Sequence, residues 1–473
     1  MTPRPATWPP GRSTSPPTCR CGPHCCARDR GSTLLLVLHH IASDGESTAP
    51  LLADLAAGYR ARLAGAAPQW TRLPVQYPDF ALWQRESLAP GGAELPLLSA
   101  YWSGRLAGAP QELDLPVDRP RPGTPTRGGG LVRSTLDAAD HHALRTLGAR
   151  HGATPFMVAH TALATLLTRL GAGTDLPVCA VASGREDAPQ TEGLVGFFAN
   201  TLVLRADTSG DPAFGELLDR IRTADLADLA HAALPFGHLV DLLRAERSPA
   251  RHPLAQVMLA FQSPLTAPEL PGLTTEAVEP PTGAAAFDLG FSLRERFDPL
   301  GAPAGVEIEV EYAADLYHPS TAQQLADQLV AVLAQGCADP EQRIGAIDVL
   351  GRAGRDRLLR QWGRGPAAGT PAVFPDLFAA VLAAAPHAAA VLFEEQRLDY
   401  TELDEAANRL AHRLIARGIG PEQVVALALP RSVELVVAVV AVLKCGAAYL
   451  SVDPDYPAER IAFMLADCAP RCC

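Results

Sequence analysis

Residues 34–45, LLLVLHHIASDG, set an unbroken apolar run directly before two histidines and a turn. A run that short, with Gly31 before it and Asp44-Gly45 after it, reads as a strand buried on both faces. Side chains of a strand alternate between its faces, so if the strand continues, His39 and His40 point opposite ways and only one faces a given cavity. Asp44-Gly45 is a turn signal. The Asp44 carboxylate, four residues after His40, is placed to orient a site, but when buried it needs a cationic or N–H partner. Gly45 admits positive φ and the close approach of another group. On residue types alone, a strand end with two surface histidines is as good a reading as a catalytic site.

The chain downstream of the histidines decides between them. HHIASDG is succeeded in order by YPDFALWQRE (residues 77–86), LVGFFANTLVLR (194–205), LPFGHLVDLL (234–243) and HPLAQVMLAFQ (252–262). This series resembles the ordered motifs of nonribosomal peptide synthetase condensation domains, over roughly residues 33–350, and more distantly the acetyltransferases that inactivate chloramphenicol. The resemblance implies an α/β, chloramphenicol-acetyltransferase-like two-lobed sandwich. In the family over a hundred residues precede the histidines, so the first lobe is expected to be incomplete. Further on, residues 398–419 and 443–465 resemble the first two motifs of an adenylation domain, with Ser451 where the family has proline. The division expected is an unstructured or mis-translated tail at 1–30, a condensation domain at 31–350, a linker at 351–370, and at 371–473 a partial α/β adenylate-forming N-terminal subdomain. Its phosphate loop and catalytic lysine are not in this sequence, so no adenylation is expected.

The chain has 473 residues, 48% of them hydrophobic and 19% charged, enough for sizeable cores. A net charge of −12 argues against nucleic acid or an anionic membrane as partner. No apolar run has the length of a membrane span and no secretory leader is evident, so the expected location is cytoplasmic. Among the cysteines, Cys19, Cys21, Cys25 and Cys26 with His24 lack the paired spacing of a zinc site, and no metal is expected. Cys179, Cys337 and Cys445 sit alone in periodic segments and read as small buried hydrophobes.

Residues 48–63 and 77–88 carry helical spacing, the aromatics of the second reading as core. Thr154-Pro155 opens the best-defined helix, with Phe156, Ala159, Leu163, Leu166, Leu167 and Leu170 on one face and Gly171 at its end. His160 lies beside that face and reads as packing. Residues 176–182 form a buried strand ending in Ser183-Gly184-Arg185, and 194–205 another, with Asn200 at its centre. Asp211-Pro212 caps a helix with Phe214, Leu217, Leu218 and Ile221 on its face. Val306, Ile308 and Val310 alternate with Glu307, Glu309 and Glu311, the pattern of a strand with one face in water.

Making a peptide bond from a thioester requires an amine nucleophile, a route for its proton and stabilisation of the charged intermediate. Histidine suits the proton traffic because its unperturbed pKa is about 6.5. By resemblance His40 carries the catalytic role, as base or by positioning the amine. His39, Asp44 and Gly45 complete the motif, with His39 and Asp44 structural, and Asn200 lines the tunnel where substrate passes; joining the two lobes is the other reading of its amide. Substrates arrive on the 4'-phosphopantetheine arms of partner carrier proteins, within a larger synthetase, and the chain itself binds no cofactor. The arginine that pairs with this aspartate in the family comes from an upstream motif absent here. Asp44 is therefore expected to be unpaired, its loop loose and turnover slow. A coenzyme A-dependent acetyltransferase and a catalytically inactive synthetase fragment are the alternatives.

Overall fold

Residues 22–28, expected to contribute no fold, pair with the apolar run just after them. β1 (Gly22–Arg28) and β2 (Gly31–Val37) form a two-stranded antiparallel sheet, with Gly22 opposite Val37 and Arg28 opposite Gly31. Ladder hydrogen bonds satisfy backbone groups whatever the side chains, so a segment without hydrophobic periodicity can still be a strand. The same pairing overturns the expected double burial of β2. Among the described residues β2 has one partner strand, and Leu34 is 42% and Val37 49% exposed. The structure, a computed structural model, describes residues 22–28, 31–185, 188–246, 248–262, 266–279, 282–363, 365 and 372–472. The expectation for residues 1–21, with Cys19 and Cys21, lies outside these.

The chain divides into two units, Met1–Arg355 and Asp356–Cys473. In the first, β2 is followed by α1 (Thr48–Leu63), α2 (Tyr77–Ser87) and α3 (Glu94–Arg105). Then come β3 (Gly129–Leu136), α4 (Ala138–His151), α5 (Pro155–Arg169), β4 (Asp175–Ala182), β5 (Asn200–Asp207), α6 (Phe214–Leu229) and α7 (Phe236–Leu242). β6 (Val257–Gln262), β7 (Leu289–Phe297), β8 (Pro303–Ala313) and α8 (Pro319–Ala338) complete it. Six of these strands form one mixed sheet in the order β3-β8-β7-β6-β4-β5. β4–β6 and β6–β7 are parallel pairs; β3–β8, β7–β8 and β4–β5 are antiparallel.

The main core lies between this sheet and α4, α5, α6 and α8. α5 is its centre. Thr154 Oγ1 accepts the Met157 N–H, Pro155 stands at the first helical position, and every side chain from Met157 to Leu167 is buried. β8 turns Val306, Ile308 and Val310 into this core and its glutamates to the other side. β4 is the strand buried on both faces: Leu176 and Val178 join the main core, and Cys179 joins a second cluster with Leu98, Trp102, Leu202 and Leu239. α3 is pinned there, with Trp102 Nε1 donating to the His231 carbonyl at 2.9 Å and Arg105 paired to the buried Asp228. The cap of α6 is Ala213, not Asp211, whose carboxylate instead accepts the Gly345 N–H at 2.7 Å.

Residues 351–362, expected as linker, are helical: α9 (Gly351–Asp356) runs into a wider turn at Arg357–Trp362. The second unit continues with α10 (Phe374–Ala384), β9 (Ala389–Phe393), β10 (Gln396–Asp399), α11 (Tyr400–Ala416), β11 (Val424–Leu427), α12 (Val433–Lys444), β12 (Ala448–Ser451) and α13 (Ala458–Cys468). β9 and β10 pair antiparallel, β11 and β12 parallel. A capping box of Asp399 and Glu402 starts α11, whose apolar stripe packs on α12. Lys444 closes α12 onto Asp404 and Asn408 of α11.

Leu163 is fully buried at the centre of α5. Leu163→Ala removes buried methyl groups from a rigid site and should cost about 2–5 kcal/mol, read as a lowered urea midpoint. A change below about 0.5 kcal/mol would mean that the helix is not packed as described.

Candidate active site

β2 ends at Val37, so neither histidine continues it. His39 instead caps a single 3₁₀ turn, His40–Ala42. The alternation expected of His39 and His40 therefore does not apply, and what separates them is hydrogen bonding. The Ile41 N–H donates to His39 Nδ1 at 3.1 Å, which requires a lone pair on that nitrogen. His40 Nδ1 lies 2.8 Å from the Ser43 carbonyl, which can only accept, so that nitrogen carries the proton. In the neutral ring of His40 the lone pair is then on Nε2. Both side chains are exposed, and the rings of His40 and Phe197 form a T-shaped pair at a centroid distance of 4.9 Å.

Asp44, expected to be unpaired, is the most heavily bonded group of the site. Its side chain is 2% exposed and lies 3.1 Å from Nη2 of Arg185. It also accepts from the Ser47 hydroxyl at 2.7 Å, from the Ser47 N–H at 2.9 Å, and from the N–H groups of Phe198 and Ala199 at 2.9 and 3.2 Å. Burial pushes the carboxyl pKa up, but the hydrogen bonds of Ser47 and Phe198 and the charge of Arg185 outweigh it and hold the group below its ordinary value. Arg185 is fixed in turn by the Thr191 and Leu194 carbonyls and lies 4.0 Å over the Phe198 ring.

These bonds also explain why β5 starts at Asn200 rather than at residue 194. Five polar backbone groups of residues 196–199 go to side chains, not to a strand ladder. Ser47 Oγ takes the Gly196 N–H at 3.1 Å and lies 2.9 Å from its carbonyl, Tyr77 donates to the Phe197 carbonyl at 2.8 Å, and Asp44 takes the next two N–H groups. Two glycines make the approach possible. A Cβ on Gly196 would stand 2.4 Å from Tyr77 Cδ2, and one on Gly184, at φ +68°, 2.1 Å from the Phe198 carbonyl oxygen. Gly45 has neither role: its φ is not positive and a Cβ there would meet nothing within 4 Å.

Asn200 stands apart from the histidines' contacts. Its Nδ2 donates to the Ala232 and Leu234 carbonyls at 2.8 and 2.7 Å, and its Oδ1 accepts the Phe236 N–H at 3.0 Å. The amide thus ties the start of β5 to the α6–α7 connection. His160, read as packing, is 1% exposed and bonds Asp225 at 3.0 Å. Among the described residues no group of three or more His, Cys, Asp or Glu is placed to hold a metal ion, and no helix is long and apolar enough to cross a membrane.

Residues 24–359 match the condensation-domain family, and residues 378–473 match the AMP-binding enzyme family. The chain belongs to the condensation-domain family. It is 45% identical over 441 residues to a dimodular nonribosomal peptide synthase of Bacillus subtilis, covering 92% of this chain and 18% of that protein. To a probable non-canonical nonribosomal peptide synthetase of Salinispora arenicola it is 46% identical over 442 residues, covering 93% and 6%. The chain thus spans under a fifth of the length of these relatives. The X-domain from teicoplanin biosynthesis superposes with a TM-score of 0.64 at 36% identity, over 69% of this chain and 74% of that one. A four-domain nonribosomal peptide synthetase bound to AMP and glycine superposes with a TM-score of 0.74 at 21% identity, over 95% and 34%, a likeness of fold.

Sequence reasoning missed Arg185, Ser47, Tyr77 and Phe197 as neighbours of the histidine turn and Asp44. A signal existed for the first. Ser183-Gly184-Arg185 directly follows a strand buried on both faces, and a cation there needs an anion.

Arg185→Met leaves a buried carboxylate without its cation and should cost about 3–5 kcal/mol, read by urea unfolding. The stabilisation from Asp44 is present above the unfolded pKa of about 3.9 and is lost as pH falls through the lower folded value. The stability gap between the parent and Asp44→Asn should be widest near neutrality and narrow below about pH 4; a gap independent of pH would disprove the assignment.

Proposed function

We propose that the chain carries the amide-forming step, with His40 as the group that moves the proton. The observation supporting this is the Nδ1 bond of His40 to the Ser43 carbonyl, which leaves a lone pair on Nε2 in an exposed ring. The amine of an acceptor aminoacyl thioester attacks the carbonyl carbon of a donor acyl or peptidyl thioester. A C–N bond forms, His40 Nε2 takes a proton from the amine nitrogen, and the tetrahedral oxyanion collapses. The C–S bond breaks and the leaving sulfur receives the proton from His40. No acyl-enzyme is needed, because the thioester is already activated. His39, with its Nδ1 engaged as a cap, supports the turn.

Both substrates are carried on 4'-phosphopantetheine arms of partner carrier proteins within a larger synthetase, so the reading requires no cofactor held by this chain. The net charge of −12 speaks against a nucleic-acid or anionic-membrane partner, and the setting implied is cytoplasmic. The bonds of Asn200 to three backbone groups support a joining role in preference to substrate contact. The pairing of Asp44 with Arg185 removes one reason to expect a loose loop.

The test is single-turnover dipeptide formation between two loaded carrier proteins, with circular dichroism as folding control. His40→Ala should lower the rate by about 10²–10⁴ with the fold intact, the usual loss for a positioned acid–base group. His39→Ala should act mainly on stability. Equal rates for His40→Ala and the parent would remove His40 from the mechanism.

A further inference from the structure

His40 and Phe197 are both exposed, and each leans on the other. Phe197 is 39% exposed, and its ring makes a T-shaped pair with the imidazole at 4.9 Å with an interplanar angle of 69°. A large apolar side chain left this open contributes little to a core, whereas the next residue, Phe198, is 4% exposed and packs on Phe80. The backbone that carries Phe197 is held with unusual completeness. Its own carbonyl accepts the Tyr77 hydroxyl at 2.8 Å, the N–H groups of the next two residues bond Asp44, and the preceding residue is held by Ser47. Tyr77 arrives from the start of α2, and its ring fills the space that the missing Cβ of Gly196 leaves.

Building on the proton-transfer role of His40, we propose that Phe197 is a positioning residue for His40, and that Tyr77 positions Phe197 by holding its carbonyl. The imidazole has a fixed point at one end only, the Nδ1 bond to Ser43. The ring can still rotate about its Cβ–Cγ bond when that hydrogen bond stretches, and contact with Phe197 restricts the rotation that would carry Nε2 away from the substrate amine. Tyr77 remains a donor in working conditions. Burial, and then the negative charge of Asp44, push its phenol above the ordinary tyrosine range. The same Asp44 carboxylate that pairs with Arg185 therefore fixes the peptide groups on the far side of Phe197 and adds to the upward shift of the Tyr77 phenol.

The experiment compares Phe197→Leu, Phe197→Trp and Tyr77→Phe by two measurements on the full chain. The first is histidine-selective NMR, with the His40 signals assigned by their loss in His40→Gln. In the parent the ring current of Phe197 shifts the His40 carbon-bound protons. Phe197→Leu should abolish that shift, Phe197→Trp should retain a ring-current shift, and Tyr77→Phe should broaden or move the signals. The second is dipeptide formation with loaded carriers. Losing one aromatic edge contact should lower kcat by about 3- to 10-fold with KM little changed, and Phe197→Trp should recover most of it. In the double variant with His40→Ala, Phe197→Leu should have no further effect. His40 signals and kcat both unchanged in Phe197→Leu would overturn the proposal. So would an equal loss on the His40→Ala background, because Phe197 would then act independently of His40. If His40→Ala alone keeps full activity, the proton-transfer reading fails, and the NMR shift still decides whether Phe197 sets the ring.

Discussion

Everything near the histidines hangs on one buried carboxylate. Asp44 is removed from water and kept ionised, which is costly unless charge and hydrogen bonds replace the lost solvation. Arg185 supplies the charge, and Ser47, Phe198 and Ala199 supply the donors. These partners come from separate parts of the chain: the turn before α1, the residues just after β4 and those just before β5. One group thereby joins the histidine turn to the edge of the six-stranded sheet. β4 and β5 are paired, with Ala182 opposite Asn200, so the residues that leave one strand and enter the other start side by side.

This arrangement gives adjacent histidines opposite states. The 3₁₀ turn brings the Ile41 N–H to His39 and the Ser43 carbonyl to His40, and these two backbone groups set opposite protonation patterns on the two Nδ1 atoms. The difference requires no difference in burial. It comes from where a short turn places one donor and one acceptor.

Much of the fold was legible in the residues because local chemistry and burial agree there. Thr154-Pro155 with an apolar face beyond it is a helix start on any backbone, and the alternation of Val306, Ile308 and Val310 with glutamates is a half-buried strand. The errors share one cause, the assignment of tertiary partners from local pattern. Residues 34–38 have the composition of a doubly buried strand, but burial depends on which layers cover a strand, and β2 pairs only with β1 among the described residues. Residues 194–199 have strand-like composition, yet backbone groups of residues 196–199 are taken by Ser47, Tyr77 and Asp44. Gly45 has the residue type for positive φ and close approach, whereas both fall at Gly184, and close approach again at Gly196.

By itself, the sequence determined most of the order of the elements and the family, since these depend on periodicity, capping chemistry and motif spacing along the chain. The tertiary structure decided which groups meet. Asp44 and Arg185 lie far apart along the chain, and no local rule names one as the other's partner. Their meeting depends on the pairing of β4 with β5 and on the room left by Gly184 and Gly196. Only that convergence turns a carboxylate with no local cation into the anchor of the histidine turn, because electrostatic partnership depends on distance in space and not on position in the chain.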